Sequence, residues 1–564
     1  MEGIFIINDG LNPVIKELDY NKIDFAERKN AFDFDNFVVA MFSTYKVNKL
    51  IIPIRLGKYS TNSFNGLTLG LHIRLTNKLE EKRLIPLIFI GEEDLEEILL
   101  LTQDNTDNPA YILATRGSVY TNDISKVQHF LEEEKGVTNL EKDVLNHLKI
   151  LNSGEESSHH SIANIWGALR LNEVLNLKAF PSNTDLIRKS KELYFKFHTS
   201  INTPDATSYI DLNPIDCTDK RILLIDDEEG NGWYSIMKII LKNADLHTIK
   251  FMGRSFDEAY AEAEFRSKKE EWDLILLDLR LNPIKEDLPN QIMLTKDYSG
   301  STLLQIIKES NEGTQVIMLT ASNKAWNMKN LLDLKADGYY IKESPAYNFQ
   351  SKFTKENFDN LKSQIENSFN LSYLKNVIHI TNQCKAFIST NAPIRSDRYQ
   401  MFYDRTLSAF EIAFELLKKS GLDPKYRKLA YLTYFQIIED YVFQKENFEI
   451  VEKNQCYVDN RKIRVIDNST GKLIWKLKFN KGSNGDYFTL DDETKTEEPF
   501  IQTLAKVSFV LAFKFKQTNT QLLKWAEINN VRNKKVGHGG NSYPVSVSEI
   551  LELLEVIRLL LTNS

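Results

Sequence analysis

The stretch Arg221-Ile-Leu-Leu-Ile-Asp-Asp-Glu-Glu229 decides how the chain is read. A short apolar run, Ile222–Ile225, ends in four carboxylates, Asp226, Asp227, Glu228 and Glu229. Three later runs have the same form. Trp272-Asp-Leu-Ile-Leu-Leu277 delivers Asp278, Val316-Ile-Met-Leu319 delivers Thr320-Ala321-Ser322, and Gly338-Tyr-Tyr-Ile341 delivers Lys342. Helical periodicity fills the gaps at Gly232–Lys242, Phe256–Lys268 and Ser301–Ser310. Short apolar runs alternating with helices predict a doubly wound, parallel α/β sheet. Such sheets place their chemistry at the carboxyl ends of the strands, where each of these polar residues stands.

The residue types suit phosphoryl chemistry. Clustered carboxylates at Asp226, Asp227 and Asp278 repel one another and so make a site for a hard divalent cation such as Mg²⁺. The cation would offset an incoming phosphoryl group and leave Asp278 as an in-line nucleophile. Lys342 offers a fixed positive charge to the phosphoryl oxygens, and the Thr320 hydroxyl can hydrogen-bond one of them. The competing reading is a nucleotide-binding α/β domain with acidic strand ends. Against it, no glycine-rich phosphate loop follows the first run.

Over roughly 220–369 the chain resembles the receiver domains of response regulators. The resemblance implies Asp278 as phosphoacceptor, Asp226 and Asp227 as the Mg²⁺ site, Thr320 and Tyr339 as switch residues, and Lys342 as the phosphate-contacting lysine. It also implies a histidine kinase or phosphotransfer protein as partner. Two departures stand out. The loop from Asn282 to Ser299 is long before its Gly300, and Glu343 stands where the family has proline, with its cis peptide, after the lysine.

With 564 residues the chain has room for three or more domains, expected at 1–136, 137–217, 218–372 and 399–564 with a linker at 373–398. The net charge of −7 gives no global attraction to nucleic acid, so any such binding must use a local basic patch. Cys217, Cys384 and Cys456 lack metal-ligand spacing and suit a reducing cytoplasm. No signal peptide or long apolar run is present, so no membrane span is expected.

The first domain repeats the α/β pattern. Strands are expected at Ile4–Ile7, Lys49–Arg55, Leu84–Ile90 and Tyr111–Leu113, with helices at Leu67–Leu75 and Asp94–Leu101. The phosphoacceptor carboxylate, the threonine and the lysine are all missing from its strand ends. It reads as a degenerate receiver-like domain or another α/β sensor. In the connector, Asn139–Leu151 is amphipathic, Asp185–His198 is helical, and His159-His160 opens a helix. Those histidines either exchange phosphate with Asp278 from an exposed helix or simply start it.

From Tyr399 the pattern predicts a helical bundle, with helices at Met401–Ser420, Lys425–Gln444, Phe500–Lys516, Leu522–Lys535 and Val547–Leu561. A β-hairpin insertion is expected from Lys462–Ile466 and Leu473–Phe479 around the turn Asp467–Gly471. Its residues Lys462, Arg464, Trp475, Lys476 and Lys478 either track an RNA backbone and stack a base or form a solvated strand face. Near the end stands Arg532-Asn533-Lys-Lys-Val-Gly-His538-Gly-Gly540. A histidine near neutral pKa can exchange protons with a ribose 2′-hydroxyl and the leaving oxygen, an arginine can stabilise the transition state, and Asn533 can orient either. The plainer reading has Arg532 cap helical carbonyls beside a glycine stop.

This arrangement resembles the HEPN family (higher eukaryotes and prokaryotes nucleotide-binding), helical domains that are often ribonucleases. The resemblance implies Arg532, Asn533 and His538 as catalytic residues and a homodimer sharing a composite site. It further implies metal-independent cleavage of single-stranded RNA to 2′,3′-cyclic phosphate ends, in an antiviral or toxin-like role. The expectation is therefore a phosphorylation-regulated, cytoplasmic ribonuclease. The rivals are a non-enzymatic adaptor, whose helical domain only dimerises or binds a partner, and a DNA-binding regulator. No basic recognition helix supports the last.

Overall fold

In the computed structural model, short strands whose central members are buried on both faces build two sheets of the same design. The structure describes residues 3–11, 14–25, 33–57, 64–105, 107–151, 159–177, 185–202, 213–286, 293–321, 325–345, 351–392, 396–421, 423–452, 455–458, 461–463, 476–480, 487–491, 503–536 and 544–562. The first domain carries β1 (Ile4–Asn8), β2 (Asn21–Asp24), β3 (Lys49–Pro53), β4 (Leu87–Ile90) and β5 (Ser118–Thr121), all parallel in the order β2-β1-β3-β4-β5. Helices α1 (Phe34–Thr44) and α2 (Asn65–Leu75) cover the face of Ile7, Leu50, Ile52, Leu87 and Phe89. Residues Ile6, Ile51, Ile88 and Ile90 point to the other face, against α4 (Val127–Glu133), which follows α3 (Leu95–Thr102) in the chain.

One expected strand is misplaced. Tyr111–Leu113 lies in a 3₁₀ turn, Pro109–Ala114, and the fifth strand comes later at Ser118–Thr121. Pro109 presets a turn, and Gly117 at φ 77° releases the chain into the strand. The expected amphipathic helix at Asn139–Leu151 is also replaced by two short turns, Leu140–Asp143 and Leu145–His147. There the Asp143 carboxylate accepts from the backbone of Thr138 and Asn139 and folds the segment back on itself.

The connector is no loose spacer. Helix α5 (His159–Val174) is buried nearly all round from Ser161 onward, with Ile165, Trp166, Ala168, Leu169 and Leu171 inside the core of the second domain. His159 and His160 start α5, and their side chains lie outside the described residues. The helix expected at Asp185–His198 is broken into Asp185–Lys189 and α6 (Leu193–Ile201). Lys196 on α6 reaches Asp35 of α1 at 2.5 Å and His72 of α2 at 3.1 Å, joining connector to first domain.

The second domain contains β6 (Arg221–Ile225), α7 (Trp233–Ile240), β7 (Asp245–Thr248), α8 (Phe256–Lys269) and β8 (Leu274–Asp278). It continues through α9 (Ser299–Ser310), β9 (Val316–Thr320), α10 (Ala325–Asp333), β10 (Gly338–Ile341) and α11 (Ser351–Leu371). Its strands are all parallel in the order β10-β9-β8-β6-β7, the topology of the first sheet over again. Ile222 and Leu224 face α5, α7 and α11, whereas Leu223 and Ile225 face α8 and α9. Both faces are therefore apolar, as a buried parallel sheet requires.

The segment 373–398, expected as a linker, holds a helix instead. Helix α12 (Leu374–Asn391) is separated from α11 by only two residues and buries Leu374, Val377, Ile380, Cys384 and Ile388 in the C-terminal core. Their spacing is helical, an apolar stripe along one face. Around it pack α13 (Asp397–Lys419), α14 (Lys425–Val442), α15 (Thr503–Phe509), α16 (Asn519–Val531) and α17 (Val547–Thr562). The strands β11 (Phe448–Glu452), β12 (Gln455–Val458) and β13 (Arg461–Ile463) form one antiparallel sheet, and β14 (Lys476–Asn480) pairs with β15 (Tyr487–Asp491). The expected pairing of 462–466 with 473–479 is thus replaced by two separate pairings, and Asp467–Gly471 lies outside the described residues. Among the described residues, no helix is long and apolar enough to cross a membrane.

Candidate phosphoryl-acceptor site

Parallel pairing brings the strand ends of the second domain to one rim. Asp226 follows β6, Asp278 ends β8, Thr320 ends β9 and Lys342 follows β10. Carboxylate oxygens of Asp226, Asp227 and Asp278 lie within 4.8 Å of one another, and all three residues are buried. The Lys342 ammonium sits 2.8 Å from Asp226 Oδ2 and 3.2 Å from Asp278 Oδ2. Thr320 is buried at the end of its strand, and its carbonyl accepts from the Lys342 backbone at 2.7 Å. Tyr339 is half-buried on the edge strand.

The electrostatics follow from burial and charge. Burial alone would lower the Lys342 pKa, but Asp226 and Asp278 outweigh it and hold the ammonium charged above its ordinary value. Burial pushes the Asp226 carboxyl up, the Lys342 charge opposes this, and Asp278 adds to it. Three carboxylates against one ammonium leave an excess of negative charge in a closed pocket. An all-oxygen set of that charge fits a hard divalent cation, so Asp226, Asp227 and Asp278 would hold Mg²⁺.

The backbone is fitted to the site as tightly as the side chains. A Cβ on Gly300, at the start of α9, would lie 2.0 Å from the Asp278 carbonyl oxygen, so only glycine lets the helix approach. The long loop before it begins with a short helix, Pro283–Glu286, whose Glu286 carboxylate accepts from the Ser299 backbone at 2.6 Å. The Lys342–Glu343 peptide is trans. Glu343 itself is buried and accepts from Thr354 at 3.0 Å, and burial pushes its pKa up to about 7.

Two further members of the site went unassigned in the sequence reading. Asn164 on α5 is wholly buried, and its side-chain oxygen accepts from the Lys342 ammonium. Trp233 on α7 places its ring 5.2 Å from the same ammonium and donates to the Asn164 carbonyl at 3.0 Å. A usable signal did exist. Apart from Asn164 and Arg170, Ile162–Leu171 is apolar, the pattern of a helix buried on most sides, which marks the helix though not the partner of Asn164.

In the first domain the same ladder holds different residues. Superposing the ladders with Leu50 on Ile275 puts Asn8, Pro53, Gly91 and Asp123 where the second domain has Asp226, Asp278, Thr320 and Lys342. Nucleophile, hydroxyl and lysine are therefore all absent from these positions. Arg55 pairs with Glu93 at that rim instead, and the Tyr120 hydroxyl donates to the Glu93 carbonyl. The scaffold persists without the chemistry: a Cβ on Gly66 would lie 1.9 Å from the Pro53 carbonyl, as at Gly300.

In the C-terminal domain, Arg532–Val536 forms a π-helical turn after α16. Arg532 donates to the Asn533 side chain at 3.1 Å, lies 3.6 Å from Glu439 on α14, and sits over the Phe435 ring. The structure thus brings Arg532 and Asn533 together, while His538 lies outside the described residues. Of the basic strand residues, Lys462 falls on β13, and Lys476 and Lys478 fall on β14. Arg464 and Trp475 also lie outside the described residues.

One family model bears on the first domain. Among curated proteins none matches the chain. Solved structures similar to part of it include a Francisella response regulator receiver domain, at 20% identity, 27% of this chain, 98% of that chain and a TM-score of 0.19. A CheY-like receiver domain protein from Methanospirillum hungatei JF-1 matches at 21% identity, 26% of this chain, 96% of that chain and a TM-score of 0.17. A family model described as the inactive receiver domain matches residues 13–121, the part of the chain whose strand ends carry Pro53 and Gly91 rather than the acceptor and the threonine.

Proposed function

We propose that the chain is a phosphorylation-regulated signalling effector, in which the second domain accepts a phosphoryl group on Asp278 and thereby controls the C-terminal helical domain. The observation that carries this reading is the buried cluster of Asp226, Asp227 and Asp278 with Lys342 bound to two of its members. An Asp278 carboxylate oxygen bonds to the phosphorus of a phosphohistidine or acyl phosphate. The donor's P–N or P–O bond breaks, and its electron pair leaves with the donor. Lys342 faces the phosphoryl oxygens, and Thr320 and Tyr339 read the new charge. When bound, Mg²⁺ offsets the negative charge of acceptor and phosphoryl group. The first domain, lacking this chemistry, serves as a docking or sensing module.

The C-terminal domain is read as a HEPN-type, metal-independent endoribonuclease using Arg532, Asn533 and His538, with a homodimer completing the site. The Arg532–Asn533 contact on a π-helical turn supports this, since such turns collect at functional sites. The ion pair from Arg532 to Glu439 favours the second reading, an adaptor in which the arginine is structural. The test is cleavage of labelled single-stranded RNA in EDTA by wild type and His538→Ala, before and after treatment with acetyl phosphate and Mg²⁺. Cleavage lost in the variant and altered by phosphorylation supports the nuclease. Absence of cleavage throughout, with Asp278 phosphorylated, selects the adaptor.

A further inference from the structure

We infer that α5 is an intramolecular cap on the acidic pocket, and that Asn164 holds Lys342 in the place a phosphoryl oxygen must take. This rests on the receiver reading of the second domain. The side chains of Asp226, Asp278 and Lys342 are wholly shielded from solvent, which a site that must meet a phosphodonor cannot remain. The shielding comes partly from outside the sheet. Asn164 accepts from the Lys342 ammonium, and a Cβ on Gly167, one turn further along α5, would lie 3.1 Å from the Glu343 backbone nitrogen and 3.2 Å from the Trp233 ring. The helix therefore lies directly on the chain that follows the lysine, and Trp233 ties it down through the Asn164 carbonyl.

The ammonium has a limited number of donors, and its neighbours are already Asp226, Asp278, Asn164 and the Trp233 ring. A phosphoryl group on Asp278 needs Lys342 and needs room. Both become available when Asn164 withdraws. The cap is also anchored away from the pocket. Arg170, on the same helix, donates to the Asn202 carbonyl after α6, and Trp166 packs edge-on against His198 of α6 at 5.8 Å. Helix α6 is in turn pinned to the first domain through Lys196. Release of α5 is thus felt where the inactive receiver-like domain is held.

The experiment uses the full chain, treated with acetyl phosphate and Mg²⁺, with phosphoryl uptake followed by intact mass and hydrogen exchange measured on α5 amides. Asn164→Ala and Asn164→Ser should take up phosphoryl groups roughly tenfold faster than wild type, the effect expected for losing one hydrogen bond to a charged group. In wild type, exchange across 161–174 should rise on phosphorylation, and in Asp278→Asn it should stay low. Equal uptake rates in wild type and both variants, with α5 exchange unchanged by phosphorylation, overturn the cap and leave the receiver intact. No uptake in wild type or either Asn164 variant overturns the receiver reading, and the cap with it.

Discussion

The Lys342 ammonium donates to the side chain of Asn164, a residue 178 positions earlier in the chain and outside the sheet that carries the acidic pocket. This one bond joins the connector to the chemistry of the second domain. It also shows why the connector is buried: α5 supplies part of the wall around three carboxylates and a lysine.

Removing the lysine charge should expose what it offsets. Lys342→Met leaves Asp226 and Asp278 buried without their cation, at a cost of about 3–5 kcal/mol. Thermal melts in EDTA should show that loss, and Mg²⁺ should restore part of it by occupying the carboxylates. A loss of equal size in both solutions contradicts the cation site.

Gly300 is the point where α9 meets the end of β8. Gly300→Ala places a methyl group 2.0 Å from the Asp278 carbonyl oxygen and should destabilise the chain by about 1–3 kcal/mol or more, with phosphoryl uptake slowed. A melting temperature equal to that of wild type would show that the helix approaches less closely.

Much of this pocket was legible in the sequence, because a parallel sheet with both faces covered leaves long apolar runs whose polar ends are conspicuous. Asp226, Asp278, Thr320 and Lys342 each followed such a run. Asn164 was not legible, since its partner is brought to it only by tertiary packing. The misplaced strand at Tyr111–Leu113 and the unexpected helix α12 share another cause: short apolar stretches suit strand, turn or helix, and the neighbours decide. For the basic strands, Leu473–Phe479 was expected to pair with Lys462–Ile466, but its described part, Lys476–Phe479, pairs with Phe488–Asp491 instead.

Glu343 makes stability depend on pH. Its folded pKa is pushed up to about 7 by burial, against an ordinary value of 4.5. The folded chain therefore binds more protons than the unfolded chain between these values, and stability falls as pH rises through that window. Glu343→Gln lacks the penalty. Its melting temperature should exceed that of wild type above pH 7, by an amount corresponding to a few kcal/mol at most, and the two should converge below about pH 4.5. Parallel curves across that range would contradict the buried, titrating carboxyl.

Arg532 separates catalysis from structure. Its ion pair with Glu439 is 3.6 Å long and part-exposed, so Arg532→Ala should cost no more than about 1 kcal/mol in a melt. RNA cleavage should fall by about 10²–10³-fold, as for loss of a group that stabilises transition-state charge. Unchanged cleavage would leave the arginine structural.

In the proposed function this chain carries one working acceptor, Asp278, and its other receiver-like sheet carries none. The most direct test is the intact mass of the full chain after incubation with acetyl phosphate and Mg²⁺, followed by peptide mapping. One phosphoryl group on Asp278 in wild type, and none in Asp278→Asn, is the result expected. A phosphoryl group retained by Asp278→Asn, or none taken up by wild type and Asn164→Ala alike, would contradict it.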